Sequence, residues 1–256
     1  MHSFRAGDGA RIAIRESGSG DTRLLLVHGW QSDGSVWRDL IAEFGPGVRS
    51  LAVDLRGSGA SDAAPGPYRL DRYAADLREL IESLDGEPVV VVGHSMGATV
   101  ALRLAVDAPQ LVRALVLVAP VPASGGGYSP KGEAFLRSTA GDPIAARNWL
   151  ARTFHTPPDP AVLDRLCASA ETTAPDVALE SFDSWAFADF AEETKQIGVP
   201  ALVVAPEHDA PERVESAVAA LLPRARFERL PGCGHYAILE RPAEIAALVR
   251  TFLDAR

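Results

Sequence analysis

Four valines, Val89–Val92, run directly into Gly93-His94-Ser95-Met96-Gly97, and an Ala/Leu-rich segment to Val106 follows at once. This strand, sharp turn and helix constrain the chain more than any other feature. A serine at such a turn takes strained backbone angles, and only very small residues two positions to either side avoid collision. The turn lifts the hydroxyl above the edge of a sheet and beside a helix N-terminus, whose amides favour developing negative charge. A serine merely capping a helix is the plainer alternative. The valine run before the turn and the helical pattern after it favour a nucleophile at Ser95.

The rest of the chain repeats the strand–helix alternation. Leu24–Val27, Leu51–Val53, Val89–Val92 and Leu115–Val118 are short continuous apolar runs. Such runs suit parallel strands covered on both faces. Leu70, Tyr73, Leu77, Leu80, Ile81 and Leu84 fall on one helical face. A hairpin precedes them, with a turn at Gly7–Gly9 and alternation through Ile12 and Ile14. The expected class is therefore α/β, a mostly parallel doubly wound sheet. The rhythm breaks after Ala119. From Pro122 to Gln196 no strand is convincing, and a structureless loop of that length is improbable in a compact domain. The expectation is a helical cap at 122–196, inserted into a core formed by 1–121 and 197–256. Beyond it the sheet resumes at Ala201–Ala205. A helix from about Pro211 to Leu222, a strand at Phe227–Leu230 and a helix starting at Pro242 complete the chain.

A serine hydroxyl is a weak nucleophile without a base. Among six histidines, His235 lies in the glycine-rich loop Leu230-Pro-Gly-Cys-Gly-His235, just past the last expected strand. Open α/β sheets place their sites at the carboxyl ends of strands. His208 is the chief rival, His94 should point away from the Ser95 hydroxyl, and His155 belongs to the cap. The preceding strand leads into Glu207-His208-Asp209, which offers Asp209 as the acid that orients His235, with Glu207 as the alternative.

Composition narrows the partners. A formal net charge of −9 argues against nucleic acid and anionic membranes, both of which attract basic patches. The two cysteines, Cys167 and Cys233, show no metal-ligand spacing. Reduced thiols are the expected state, with a disulfide between them the alternative. The opening MHSFRAGDGARIAIRESG has no apolar signal-peptide core, and no apolar run approaches membrane-spanning length. A cytoplasmic protein, monomeric or homodimeric, without metal or cofactor is expected.

With these residues in place the chain resembles the α/β-hydrolase superfamily, in particular its capped esterase, lactonase and cofactor-free haloperoxidase branch. The resemblance runs through Leu25-Leu-Val-His28-Gly29-Trp30, Asp54-Leu-Arg-Gly-Ser-Gly-Ala-Ser-Asp62, the turn around Ser95, and Gly234-His235. It implies the α/β-hydrolase fold, and a catalytic trio of Ser95, Asp209 and His235. It also implies an oxyanion hole from the backbone N–H groups of Trp30 and Met96. His28 and Asp54–Asp62 are expected to shape loops beside the site. Trp30, Met96, Trp149, Trp185 and Tyr236 are candidates for an apolar pocket. The activity implied is that of a carboxylesterase-like serine hydrolase. It would act on a small to medium, largely apolar ester or lactone through an acyl-enzyme. Two departures stand out: Pro206 where relatives usually carry glycine, and no carboxylate after Val118. A cofactor-free dioxygenase and a non-catalytic ligand receptor of the same fold are the alternatives. The missing carboxylate counts against the dioxygenase.

Overall fold

The computed structural model describes residues 1–62, 66–209 and 212–255. Its strands are β1 (His2–Arg5), β2 (Arg11–Ser17), β3 (Thr22–Val27), β4 (Val48–Val53), β5 (Val89–His94), β6 (Val112–Val118), β7 (Ala201–Pro206) and β8 (Ala225–Leu230). They form one sheet in the order β1-β2-β4-β3-β5-β6-β7-β8. The β1–β2 hairpin and the β2–β4 pair are antiparallel, and β4 to β8 run parallel. β5 is central, with Val90 opposite Leu24 on one side and Ala114 on the other.

The continuous apolar runs are explained by burial on both faces. Leu25, Val27, Val91, Leu115 and Val203 face one hydrophobic cluster, while Leu24, Leu26, Val90, Val116 and Val204 face the other. Helices α2 (Leu70–Leu84) and α3 (Met96–Asp107) cover the first face. Helices α1 (Arg38–Phe44) and α11 (Pro242–Asp254) cover the second. Each fully buried Val or Leu contributes about 1.5–3 kcal/mol relative to exposure. The sheet is thus doubly wound, as expected. The sequence reading assigned nothing to α1. Two parallel neighbours such as β3 and β4 require a crossover, and α1 with the preceding 3₁₀ turn Gly34–Trp37 supplies it.

Between β6 and β7 the chain forms α4 (Pro130–Ser138), α5 (Pro143–Arg152), α6 (Pro160–Thr172), α7 (Pro175–Ala186) and the short α8 (Ala191–Thr194), with no strand. The first four begin with proline, and Ser129, Asp142 and Asp159 cap three of them through their side-chain oxygens. This segment is fastened to the sheet side. Ser169 donates to Asp33 at 2.7 Å, Gln31 to Thr139 at 2.7 Å, and the Trp30 indole N–H to the Ala178 carbonyl at 2.8 Å. After β7, the helix expected from Pro211 begins outside the described residues. Its described part is α9 (Glu212–Leu221), and a short α10 (Ala237–Glu240) precedes α11. Among the described residues, no helix is long and apolar enough to cross a membrane.

Beneath the hairpin lies a buried cation. The Arg56 side chain is fully buried and grips Asp76 through two hydrogen bonds of 2.9 and 2.7 Å. Asp8, from the β1–β2 turn, lies 2.7 Å from the same guanidinium. Asp76 also accepts from Arg72, on the preceding turn of α2. Replacing Asp76 by alanine takes from the buried guanidinium its fully buried carboxylate and leaves it the half-exposed Asp8. Asp76→Ala should lower unfolding free energy by about 3–5 kcal/mol, measured by urea denaturation.

Candidate active site

At the end of β5 the backbone of Ser95 has φ 55° and ψ −123°, the strained turn that the sequence pattern demanded. A side chain at Gly93 would place its Cβ 2.4 Å from the Gly97 carbonyl oxygen, and one at Gly97 would lie 2.2 Å from the Val27 oxygen. Both glycines are therefore required by close approach of backbone to backbone. The Ser95 N–H donates to the Val118 carbonyl at 3.0 Å, which fixes the turn over the carboxyl edge of the sheet between β5 and β6.

The loop after β3 lies against this turn. Its His28 is fully buried. His28 Nε2 accepts the Leu55 N–H at 2.9 Å and Nδ1 donates to the Gly29 carbonyl at 2.8 Å, so one tautomer is held. Asp54 is equally buried and accepts from the Gly34 and Ala60 N–H groups and from Arg15. Both residues shape loops. A Cβ on Gly29 would come within 3.2 Å of the Ser95 Cβ, so this loop and the serine turn are in near contact.

Asp209 and His235 come from the loops after β7 and β8, which are laced together. Glu207 and His208 N–H groups donate to the Leu230 and Cys233 carbonyls at 2.9 and 3.0 Å. His235 Nδ1 lies 2.9 Å from Asp209 Oδ2, with the two side chains 18% and 19% exposed. Burial pulls the His235 pKa down, but the charge and hydrogen bond of Asp209 outweigh it and leave the pKa above the ordinary imidazole value. Glu207 is engaged elsewhere. Its carboxylate accepts the Gly232 N–H at 3.0 Å and lies 3.5 Å from His208. His208 stacks on His155, with centroids 3.8 Å apart and planes 7° apart. His94 Nε2 donates to the His235 carbonyl at 2.9 Å. Burial, with the neighbouring His235 charge, depresses the His94 pKa to about 3, so this ring is a neutral wedge against His235.

Ser95, Asp209 and His235 share one cavity of about 150 Å³ with Trp30, Trp149, Trp185 and Tyr236. Met96 does not line it; its side chain is buried in the hydrophobic cluster around α3. Trp30 meets Trp149, Phe182 and Trp185 at centroid distances of 5.5, 5.4 and 5.8 Å. The sequence reading missed Tyr128, Val121 and Leu136, which complete the wall. Tyr128 follows Gly125–Gly127, a run with no helical or strand periodicity to mark it. Its phenol pKa is pushed up to about 12 by burial and by the Asp209 charge. Cys167 and Cys233 are buried and unbridged. Among the described residues no group of three or more His, Cys, Asp or Glu could hold a metal ion.

Comparison with known proteins places this geometry in a family context. A model described as the alpha/beta hydrolase family matches residues 24–248. The lipase LipV of Mycobacterium tuberculosis is 32% identical over 252 residues, spanning 93% of this chain and 95% of its own. The thermophilic esterase from Thermogutta terrifontis has a TM-score of 0.87 at 23% identity, covering 100% of this chain and 99% of the esterase. The enol-lactonase from Burkholderia xenovorans LB400 has a TM-score of 0.88 at 24% identity, covering 98% and 99%.

The His235–Asp209 contact has a direct readout. In an NMR titration the His235 imidazole should ionise above its ordinary value. In Asp209→Asn, where burial acts without an opposing charge, the midpoint should fall below that of the wild type.

Proposed function

The chain belongs to the alpha/beta hydrolase family, and we propose that it is a serine hydrolase cleaving a carboxylic ester or lactone through an acyl-enzyme. The observation that carries this reading is the opening of one cavity onto both the strained Ser95 and the His235–Asp209 pair. The lipase relative supports ester hydrolysis as the reaction class.

In this mechanism Ser95 Oγ attacks the carbonyl carbon as His235 Nε2 takes its proton. Asp209 holds Nδ1 and stabilises the imidazolium. The Trp30 and Met96 N–H groups receive the oxyanion. Met96 opens α3, so its amide belongs to the unsatisfied N-terminal turn of that helix. Removing one donor from comparable holes costs about 3–4 kcal/mol in the barrier. Collapse of the tetrahedral intermediate transfers the proton to the leaving alcohol. Water deprotonated by His235 then attacks the acyl-enzyme and releases the acid.

Residues 122–196 serve as the cap. They bring Trp149, Trp185 and Tyr128 over the serine, and three indoles with two tyrosines make a small, largely apolar chamber. A cavity of about 150 Å³ suits a short acyl or alcohol group better than a long chain. A neutral His94 beneath His235 leaves the latter as the one titrating base in contact with a carboxylate at the cavity.

Incubation with p-nitrophenyl acetate, butyrate and laurate, followed by intact-mass measurement, tests the scheme. Wild type should turn over the two short esters faster than laurate and show an acyl adduct that disappears in Ser95→Ala. That variant should lose about 10⁴-fold or more in kcat. Folded wild type that neither turns over nor acquires an adduct, yet shows oxygen uptake or a ligand-induced thermal shift, would overturn it.

A further inference from the structure

Between His235 and the inserted helices stands a carboxylate that the proposed mechanism does not use. Glu240 ends the short helix α10, five residues after His235, and its own N–H donates to the Tyr236 carbonyl at 3.0 Å. Its Oε1 accepts the Gly234 N–H at 2.8 Å, on the residue that immediately precedes His235. Its Oε2 accepts the N–H groups of His155 and Thr156 at 3.1 and 3.2 Å, in the stretch between α5 and α6. One side chain therefore joins two loops from distant parts of the chain through three backbone donors.

The junction is close. A Cβ on Gly234 would lie 2.5 Å from the Thr153 carbonyl oxygen and 2.7 Å from the His155 nitrogen. The His235 N–H itself donates to that Thr153 carbonyl at 2.7 Å. From below, His94 Nε2 holds the His235 carbonyl at 2.9 Å. Glu240 thus completes a three-sided grip on the Gly234–His235 backbone, and two of the three sides run through the inserted segment. The same segment reaches the acid, because His155 stacks on His208, the residue next to Asp209.

We infer that Glu240 is a positioning residue, which locks the 153–156 stretch of the inserted helices to the His235 loop and so sets the register of His235 against Asp209 and Ser95. The inference rests on the serine-hydrolase reading for its consequence in catalysis. Glu240 does not line the cavity that Ser95 shares with His235, and its action runs entirely through the placement of His235. Misplacing a catalytic group by about 1 Å can cost about 100-fold in rate even when the change is remote from the chemistry.

Glu240→Gln is the discriminating variant. Glutamine keeps the length and shape but its amide nitrogen cannot accept, so either Gly234 or the His155–Thr156 pair loses its acceptor. Glu240→Ala removes all three contacts. Both are compared with wild type in kcat and KM on p-nitrophenyl butyrate, in thermal midpoint, and in the NMR titration of His235. Asp209, His94 and Tyr236 are the ionisable groups facing that ring. We expect kcat to fall by about tenfold or more with KM within about twofold. We also expect the His235 midpoint to move toward the ordinary imidazole value in folded protein. Wild-type kcat with a wild-type His235 midpoint in Glu240→Gln would overturn the inference. So would a loss of kcat that follows the thermal midpoint while His235 titrates as before. Should wild type itself show no Ser95-dependent turnover, the hydrolase reading fails. The His235 titration then decides the positioning role by itself.

Discussion

The rest of the molecule is arranged around a place where backbone meets backbone with no side chain between. At Gly97 the first turn of α3 presses on the Val27 carbonyl at the end of β3, and at Gly93 the strand presses on the same helical turn. These contacts force Ser95 into its left-handed conformation and bind three elements into one rigid corner. The parallel pairing of β3, β5 and β6 brings the loops after these strands to one edge. The elbow exposes its serine only because that edge is shared. A looser corner would let Ser95 relax toward an ordinary helix cap, and the hydroxyl would lose its place above the sheet.

Much of this was legible because local and global signals agree. The valine run is both a strand former and a two-sided core, so β5 could be read from composition alone, and β3, β4 and β6 by the same pattern. Proline at residue 242 marked the start of α11 because its missing N–H costs nothing in a first turn. Other features carry no local mark. Helix α1 spans only seven residues and exists because two parallel strands must be connected. Tyr128 reaches the cavity only through folding of the segment around it, and a tyrosine after three glycines has no periodicity to betray a place in a cavity wall. Met96 illustrates the opposite case. As the residue after the serine it stood out in sequence, yet its side chain packs into the core and leaves only its amide near the turn.

The helices between β6 and β7 help to build the cavity. They contribute Trp149 and Trp185 to its wall, receive the Trp30 indole at Ala178, and hold the His235 N–H through Thr153. Such ties are side-chain to backbone or loop to loop, with no strand pairing to announce them. That is why residue patterning could show that 122–196 is helical without showing which of its members face the cavity. A chain segment bonded to the His235 N–H and stacked beside Asp209 cannot shift without carrying part of the His235–Asp209 pair with it.

The histidines show how environment divides one residue type among several roles. His28 and His94 are both buried with a ring nitrogen on a backbone carbonyl, and burial depresses the pKa of each. Neutral imidazoles in those places act as rigid polar spacers, one setting the loop of Gly29, the other supporting His235 from beneath. His235 is also shielded, yet Asp209 reverses the direction of its shift. The same low-dielectric surroundings that silence two rings therefore strengthen the attraction that keeps the third basic. The difference lies in one carboxylate at 2.9 Å, delivered by the loop after β7. Sequence order alone could not assign that difference, since His208 sits closer to Asp209 along the chain. Its stack against His155, and the lacing of its loop to Leu230 and Cys233, are what turn the Asp209 carboxylate toward the more distant ring.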